Sequence, residues 1–356
     1  MRMLSALTLF VSALSAPVFQ LTFAPAPSPS GYRNFSFSSW GGSVVEAEGA
    51  FHLFASAFVN NCTLSSWGSN SVAIRAVGMS PVGPFTLAER VLPFYHHNVQ
   101  PILAPDGTFL IYAIGMSPDP TPGDCSPHAD APPPLSHGFE SVECWSAPTV
   151  RGPWTAVAGN VNTRNIFNGT NPAPAFDPSN NGTVYVMSHT STAFVVSVAP
   201  SWRGPYAAPI PVVSFVVGDY VGEDPYLWYD AKISNDEGGV GAWRVLYHAY
   251  NKSDTAHQFN VGGYAQSAGH NIFGAWSVQD PASSPAYTVN YTSYDEGAAG
   301  PTTTTTLSRR ERPKLYFDAS GAPAVLYSGS CPPHSTVCFT SAAPIAAARA
   351  VPSAKE

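Results

Sequence analysis

Four copies of one short phrase restrict what this chain can fold into. Each copy is a glycine, then a proline or alanine, then an aromatic residue: Gly83-Pro84-Phe85, Gly152-Pro153-Trp154, Gly204-Pro205-Tyr206 and Gly274-Ala275-Trp276. The glycines are 69, 52 and 70 residues apart, and a small polar residue stands three positions before each of them. Because Gly-Pro favours tight turns and aromatic residues favour strands, each copy predicts a strand, a turn and an outer strand.

A second phrase opens five units of the chain, each followed by an apolar, aromatic-rich segment. The five openings are Trp40-Gly41-Gly42-Ser43, His97-Asn98-Val99-Gln100-Pro101, Thr170-Asn171-Pro172-Ala173, Glu223-Asp224-Pro225 and Glu311-Arg312-Pro313. Five units of short strands predict an all-β, single-domain, five-bladed β-propeller. A β-sandwich of ten or more strands is the alternative, but it does not explain why every unit begins with the same phrase.

The composition agrees with a β fold. Only 11% of the residues are charged, and the chain contains 35 prolines and 29 glycines. Long solvated helices need charged outer faces, so an all-helical protein is excluded. The net charge of −7, with no basic run longer than residues 309–314, argues against binding to nucleic acid.

The N-terminus has the features of a secretion signal. Arg2 precedes an apolar stretch over residues 4–14, and Ala13 and Ser15 are small residues suited to a cleavage site. A buried N-terminal strand is the alternative. We divide the chain into a signal peptide (1–15), an N-terminal segment (16–35), the propeller (36–345) and a C-terminal tail (346–356). No later run approaches membrane length, so we expect a secreted monomer that does not bind membranes.

Glycosylation and disulfides are expected in a secreted chain. Six Asn-x-Ser/Thr sequons predict N-glycosylation, at Asn34, Asn61, Asn168, Asn181, Asn251 and Asn290. Cys331 and Cys338 suggest a small stapled hairpin, and Cys125 and Cys144 could close a proline-rich loop, which leaves Cys62 over. The spacing does not determine the connectivity, and it is not typical of a zinc site.

Radial repetition indicates where function should be located. The innermost strand of each blade lines the central channel, and the residues that enter these strands surround one of its mouths. The five opening phrases should therefore lie close together, although they are far apart in sequence.

The opening phrases, the Gly-Pro-aromatic turns and the Glu223-Asp224-Pro225 segment resemble the five-bladed propeller glycoside hydrolases. This superfamily contains arabinanases, xylosidases, invertases and levansucrases, and the likeness is greatest to the family 43-like branch, over roughly residues 36–345. The resemblance implies cleavage of a glycosidic bond by two carboxyl groups. It also implies an aspartate base in the first opening, where this chain has Gly41 and Gly42, and a carboxylate in the third, where it has Asn171.

Three carboxylates remain as catalytic candidates. With the prolines of the openings aligned, Asp224 matches Gln100, Asn171 and Arg312, so we predict that Asp224 faces the channel as an acid or a substrate-binding carboxylate. Glu223 or Glu311 is its expected partner, although neighbouring residues on a regular strand point to opposite faces. The alternative is that Asp224 caps the strand and pairs with Arg312.

The other predicted site residues follow from their place in the openings. Trp40, His97, Asn98, Asn171 and Arg312 are the candidate substrate-binding residues. Core packing is the alternative for Trp40, and a buried hydrogen-bonded role is the alternative for His97. The resemblance further implies a calcium ion in the channel near His248. A Glu-Asp-Pro phrase also occurs in propeller mannoside phosphorylases, in which Arg312 or His97 would bind phosphate.

Two functional hypotheses result. The first is a secreted glycosidase that acts on an oligo- or polysaccharide of an extracellular or cell-wall glycan. The second is a non-catalytic glycan-binding propeller that lacks the blade-one aspartate.

Overall fold

A computed structural model describes residues 18–115, 122, 125, 141–157, 164–180, 182–190, 192–234, 240–253, 260–295 and 302–351. The described part is almost entirely β-structure. Its strands are, in chain order, β1 (Val18–Phe23), β2 (Ala26–Ser28), β3 (Ser39–Ala47), β4 (Ala50–Phe58), β5 (Ser71–Gly78), β6 (Thr86–Arg90), β7 (His96–Leu103), β8 (Phe109–Gly115), β9 (Ser141–Ala147), β10 (Thr155–Ala156), β11 (Asn165–Asn168), β12 (Thr170–Phe176), β13 (Val184–His189), β14 (Ala193–Ala199), β15 (Ile210–Ser214), β16 (Tyr220–Ser234), β17 (Val240–Asn251), β18 (Val261–Ser267), β19 (Trp276–Val278), β20 (Asn290–Asp295), β21 (Thr303–Thr306), β22 (Arg309–Phe317), β23 (Pro323–Cys331) and β24 (Phe339–Val351). A 3₁₀ turn (Leu64–Ser66) and one short helix, α1 (Trp67–Asn70), follow β4.

Five antiparallel sheets form the blades of a propeller. Blade one is β3 to β6, blade two is β7 to β10 with β11 beside β9, blade three is β12 to β15, and blade four is β16 to β19. Blade five has the order β22, β23, β24, β1. The innermost strands β3, β7, β12, β16 and β22 contact one another around a ring, which confirms the predicted five-bladed β-propeller. A small sheet of β2, β20 and β21 lies outside the blades.

The Gly-Pro-aromatic phrase forms the turn before the fourth strand of blades one to four. In each turn the glycine N–H donates to the carbonyl of the small polar residue three positions earlier: Gly83 to Ser80, Gly152 to Thr149, Gly204 to Ser201 and Gly274 to Asn271, at 2.9–3.0 Å. The first three glycines have positive φ, which residues with a side chain rarely adopt. The predicted strand–turn–strand pattern is confirmed at all four positions.

The propeller is closed by its N-terminal strand, which sequence reasoning placed outside it. β1 pairs antiparallel with β24 from Val18↔Val351 to Phe23↔Ile345, and β24 itself extends to Val351. The predicted limits of residues 36–345 are therefore too narrow. A single added strand joins the two ends of the described chain in one sheet, and its short apolar segment gives no local sign of that long-range pairing. The predicted signal peptide lies outside the described residues.

Replacement of Phe19 by alanine should destabilise this closure. The Phe19 ring is buried, and its centroid lies 4.6 Å from that of Tyr264 and 6.1 Å from that of Trp228. We expect the free energy of unfolding to fall by about 3–5 kcal/mol, as for other buried aromatic side chains. Gln20→Ala is the matched control, because Gln20 is exposed on the same strand. Equal denaturation midpoints for the two variants would show that β1 does not close the propeller.

The disulfides correct one prediction and confirm another. Cys331 and Cys338 are bonded as predicted, whereas Cys125 is bonded to Cys62 and not to Cys144. Cys144 lies on β9 inside the core, where burial raises its pKa to about 12, and it remains a free thiol. Its inward position on a regular strand keeps it away from the segment that carries Cys125.

Five of the six predicted glycosylation sites lie among the described residues. Asn61, Asn168 and Asn290 are exposed, Asn34 and Asn251 are partly buried, and Asn181 lies outside the described residues. Glycosylation stays a prediction. Among the described residues, no helix has both the length and the apolar character needed to cross a membrane.

Candidate functional site

The five opening phrases meet at one mouth of the channel through a repeated bulge. One residue in each innermost strand has left-handed φ, between 53° and 65°, and the strand register shifts there: Gly41, Asn98, Asn171, Asp224 and Arg312. The residue equivalent to Asp224 in blade two is thus Asn98, and aligning Gln100 with it was wrong. The proline of blade two stands two residues further along the strand, so alignment on prolines displaced that blade.

The bulge residues form what we call the upper ring: Gly41, Asn98, Asn171, Asp224 and Arg312. They line a cavity of about 10 Å³, which has room for no more than one water molecule. The channel is therefore nearly closed at this level. Asn and Asp tolerate left-handed φ, but Arg312 at φ 57° is uncommon and points to a constraint from its surroundings.

Arg312 occupies the space beside Gly41. A Cβ atom at Gly41 would lie 3.1 Å from Arg312 Cδ, so the aliphatic part of the arginine packs where a side chain of blade one would extend. Arg312 Nη2 lies 3.7 Å from Asp224 Oδ1. The structure thus contains the Asp224–Arg312 pair that was the alternative to a channel-facing carboxylate.

The three candidate carboxylates converge on His248. We call four residues the carboxylate cluster: Glu223, Asp224, His248 and Glu311. Each contributes one carboxylate oxygen or imidazole nitrogen, and these four atoms all lie within 4.8 Å of one another. Glu223 Oε1 lies 3.3 Å and Asp224 Oδ2 lies 3.8 Å from His248 Nδ1. Simple alternation predicted opposite directions for Glu223 and Asp224, but the bulge between them interrupts that alternation and brings both to one imidazole.

Exposure differs within the carboxylate cluster. The Glu223 side chain is 34% exposed, whereas Asp224 and Glu311 are only 3% and 5% exposed. Asn260 Nδ2 donates to Glu311 Oε1 at 3.0 Å, and Arg309 Nη1 lies 3.3 Å from the same oxygen. Glu223 is therefore the member of the cluster that an external ligand can reach most easily.

The surroundings shift the pKa values of Glu311, Asp224 and His248 in different directions. Burial raises the pKa of Glu311 above its usual value, and the charges of Glu223 and Asp224 act in the same direction. Burial also opposes ionisation of Asp224, but the charges of Arg312 and His248 outweigh it and lower the pKa of Asp224. Burial would lower the pKa of His248, yet Glu311, Asp224 and Glu223 raise it well above its usual value. The cluster therefore combines a carboxyl group whose pKa is raised with one whose pKa is lowered.

The predicted substrate-binding residues are mostly buried. Trp40 is 1% exposed and its ring lies against Gly329, so the structure places Trp40 in the core and leaves no open ring face for a sugar. His97 is fully buried and hydrogen-bonded to Ser71 Oγ at 2.7 Å. Burial and the charge of Arg312 lower its pKa well below the usual value, so a neutral His97 cannot serve as a cationic phosphate ligand.

The two asparagines belong to the upper ring. Asn98 Nδ2 donates to Asn171 Oδ1, and Asn171 Nδ2 lies 3.4 Å from His189 Nδ1. Their side chains thus bind each other across blades two and three. This pairing fixes the shape of the upper ring.

Sequence reasoning missed two residues that shape the site. Asn260 and Lys314 are buried, and Lys314 Nζ donates to the carbonyl of Pro225 at 3.0 Å. Burial lowers the pKa of Lys314 to about 7. Lys314 could have been found from its place just after the fifth opening, whereas no pattern in the sequence distinguishes Asn260.

The carboxylate cluster also has a donor set that fits a divalent cation. Carboxylates and imidazole are both metal ligands, and neither His248 ring nitrogen is in hydrogen-bonding geometry with any described residue. A calcium ion near His248 stays a prediction. A bound cation would screen the repulsion between the three carboxylates.

Comparisons with known proteins agree at the level of the fold. No protein-family model and no curated protein matches the sequence. The structure is similar to the catalytic domain of the family 62 α-L-arabinofuranosidase of Coprinopsis cinerea, with a TM-score of 0.58, 13% identity, and coverage of 94% of this chain and 99% of that chain. The α-L-arabinofuranosidase of Podospora anserina in complex with cellotriose gives a TM-score of 0.57 at 10% identity, with coverage of 94% and 97%.

A third similar structure is the endo-arabinase of Bacteroides thetaiotaomicron, with a TM-score of 0.52, 10% identity, and coverage of 92% of this chain and 98% of that chain. The chain therefore shares the five-bladed propeller fold of these glycoside hydrolases. Identities this low carry no information on its substrate.

Proposed function

We propose that the protein is a glycosidase whose reaction takes place at the carboxylate cluster. The observation that carries this proposal is the closeness of two carboxyl groups with opposite pKa shifts. One oxygen of Glu311, whose pKa is raised, lies within 4.8 Å of one oxygen of Asp224, whose pKa is lowered. Hydrolysis of a glycosidic bond needs one carboxyl group that gives a proton and one that attacks or activates water. Arabinan and xylan are the first polymers to test, because solved structures with the same fold include arabinofuranosidases and an endo-arabinase.

The environments divide the roles. Glu311, whose pKa is raised by burial, donates a proton to the glycosidic oxygen as the bond from that oxygen to C1 breaks. Glu223, the most exposed carboxylate, forms the new bond to C1. A water molecule then attacks C1, gives its proton to the ionised Glu311 and breaks the bond from C1 to Glu223, which releases the sugar. Asp224 is a positioning residue, because it is held between Arg312 and His248.

The short separation has a stereochemical consequence. Inverting enzymes hold their carboxyl groups roughly 6.5–9.5 Å apart to admit a water molecule, and retaining enzymes hold them roughly 5–5.5 Å apart. The separation of at most 4.8 Å between nearest donor atoms supports retention. The test is a release assay on arabinan and xylan, with the anomeric form of the first product followed by NMR. Release of inverted product would contradict the role given to Glu223.

A non-catalytic glycan-binding propeller is the second candidate. It is favoured by Gly41 at the upper-ring position of blade one and by the burial of Asp224 and Glu311. Retention of glycans on an array without any turnover would support it over the glycosidase.

A cation would compete with the proton for the same donor atoms. Binding of Ca²⁺ requires ionised carboxylates, so it would displace the proton of Glu311 into solvent. Calorimetry with CaCl₂ in two buffers of different ionisation enthalpy measures both binding and proton release. Micromolar binding with proton release would contradict Glu311 as the acid and would support the calcium site at His248.

The pH dependence provides a further prediction. Activity should fall as the pH rises through the raised pKa of Glu311, because the acid loses its proton. The charge of Arg309 lowers that pKa, so Arg309→Gln should move the alkaline limb of the kcat/KM profile to higher pH. Arg203→Gln, at the exposed pair with Asp106, is the matched control and should leave the limb in place. A shift to lower pH in the Arg309 variant would exclude Glu311 as the titrating acid.

We also propose an extracellular location for the protein. The Cys62–Cys125 and Cys331–Cys338 bonds support this, since disulfides persist in oxidising compartments. We propose further that the protein acts as a monomer.

A further inference from the structure

A second cavity lies at the opposite mouth of the channel and is much larger than the one at the upper ring. The innermost strands run from the upper ring towards this second mouth, and their downstream ends surround a cavity of about 780 Å³. We call it the lower funnel. Its wall includes residues from all five blades, among them Gln100, Phe176, Tyr226, Tyr229, Tyr316 and Phe317.

Several aromatic side chains contribute to the wall of the lower funnel. Phe176, Tyr226, Tyr229, Tyr316 and Phe317 are partly exposed, and Leu103 at the rim is 48% exposed. A concave cavity of this volume, lined by aromatic and other apolar side chains together with polar groups, has the usual character of a small-molecule site. Aromatic rings are suited to the C–H faces of sugars, because they combine apolar faces with little conformational freedom.

The charged groups of the lower funnel are already paired. Tyr316 Oη donates to Glu46 Oε2 at 2.7 Å, Asp230 Oδ2 lies 3.1 Å from Arg244 Nη1, and Lys232 Nζ donates to the carbonyl of Ser320 at 2.6 Å. Each of these three charged groups thus already has a partner within the protein. A neutral ligand fits the lower funnel better than an ion.

One buried acceptor in the wall lacks a donor. Gln100 is only 5% exposed, and its Oε1 atom has no hydrogen-bond partner among the described residues, although its Nε2 lies 3.4 Å from Ser43 Oγ. A buried acceptor without a partner costs about 1–3 kcal/mol, and a ligand hydroxyl would remove that cost. The ligand should therefore carry hydroxyl groups as well as apolar faces.

From these observations we propose that the lower funnel binds a neutral oligosaccharide, at a site separate from the carboxylate cluster. The ring of Tyr316 stacks on a sugar unit, and Gln100 Oε1 accepts a hydrogen bond from a sugar hydroxyl. The site needs none of the residues assigned to hydrolysis, so the proposal does not depend on that reaction.

The test is isothermal titration calorimetry of the full chain with xylotriose, cellotriose and arabinotriose. The titrations use a Glu223→Gln background, in which a bound sugar is not cleaved. Tyr316→Ala removes the ring, and its matched control Tyr316→Phe removes only the hydroxyl that binds Glu46. Loss of the ring should weaken binding about tenfold, corresponding to roughly 1.4 kcal/mol, while the phenylalanine variant keeps the wild-type affinity.

Gln100→Leu is the second variant, and it guards against misfolding as an explanation. Removal of the unpartnered amide should leave the melting temperature unchanged or higher, and should weaken sugar binding. Unchanged affinity in both Tyr316→Ala and Gln100→Leu would overturn the proposal. So would the absence of binding by all three trisaccharides, or capture of a second copy of the chain at this mouth. If no hydrolysis is detected but these variants change binding as expected, only the proposed glycosidase activity is disproved.

Discussion

Replacement of Glu311 by glutamine is expected to lower kcat for glycan release by about 10²–10⁴-fold, the usual contribution of a general acid. Glutamine has nearly the same shape as glutamate, and its carbonyl oxygen can still accept the hydrogen bond from Asn260 Nδ2. It cannot supply a proton to a leaving oxygen. The measurement is initial-rate kinetics on arabinan or on the polymer that the release assay identifies.

Two comparisons separate a chemical effect from a structural one. Glu48→Gln makes the same substitution at an exposed carboxylate paired with Arg151, and it should keep wild-type activity. The melting temperature of the Glu311 variant should not fall, because burial raises the pKa of this carboxyl and its ionised form is disfavoured in the folded state. An activity within twofold of wild type would remove Glu311 from the reaction.

Removal of the Cys62–Cys125 disulfide should cost more stability than removal of the Cys331–Cys338 disulfide. The bond joins residues 63 positions apart, and cross-linking a loop of that length restricts the unfolded chain by about 4 kcal/mol. The Cys331–Cys338 bond spans only 7 positions and should contribute about 2 kcal/mol. We therefore expect the paired serine variant at Cys62 and Cys125 to unfold at a clearly lower denaturant concentration than the variant at Cys331 and Cys338.

The free thiol provides the control for these variants. Cys144→Ala removes a buried sulfur without opening a loop, so its cost should be limited to the lost packing. Both disulfides belong to one core cluster with Trp40 and Phe58, beside the upper ring. If the short bond proved the more important of the two, packing in this cluster and not chain entropy would explain the stabilisation.

Sequence reasoning succeeded where structure is encoded by neighbouring residues. The turn at Gly83 depends on a hydrogen bond to Ser80, three positions away, so the phrase itself predicts the turn. The opening phrases are local in the same way, and five of them imply five blades. The placement of Glu223, Asp224 and Glu311 near one channel mouth followed from that repetition alone.

Sequence reasoning failed where distant segments decide the outcome. The strand β1 pairs with β24 across almost the whole chain, and Cys125 finds Cys62 and not Cys144. Gln100 was matched to Asp224 because a proline follows each of them, yet the left-handed backbone marks Asn98 as the equivalent residue. Register depends on pairing between strands, which no single strand reveals.

The sequence by itself determined the number of blades, their turns and the mouth at which the carboxylates would meet. Each of these features depends on only a few consecutive residues. Only the tertiary structure decided that the pKa of Glu311 is raised while that of Asp224 is lowered. Burial and the charges of Arg312 and His248 act through space, and these groups come from strands β16, β17 and β22, which meet only in the folded propeller.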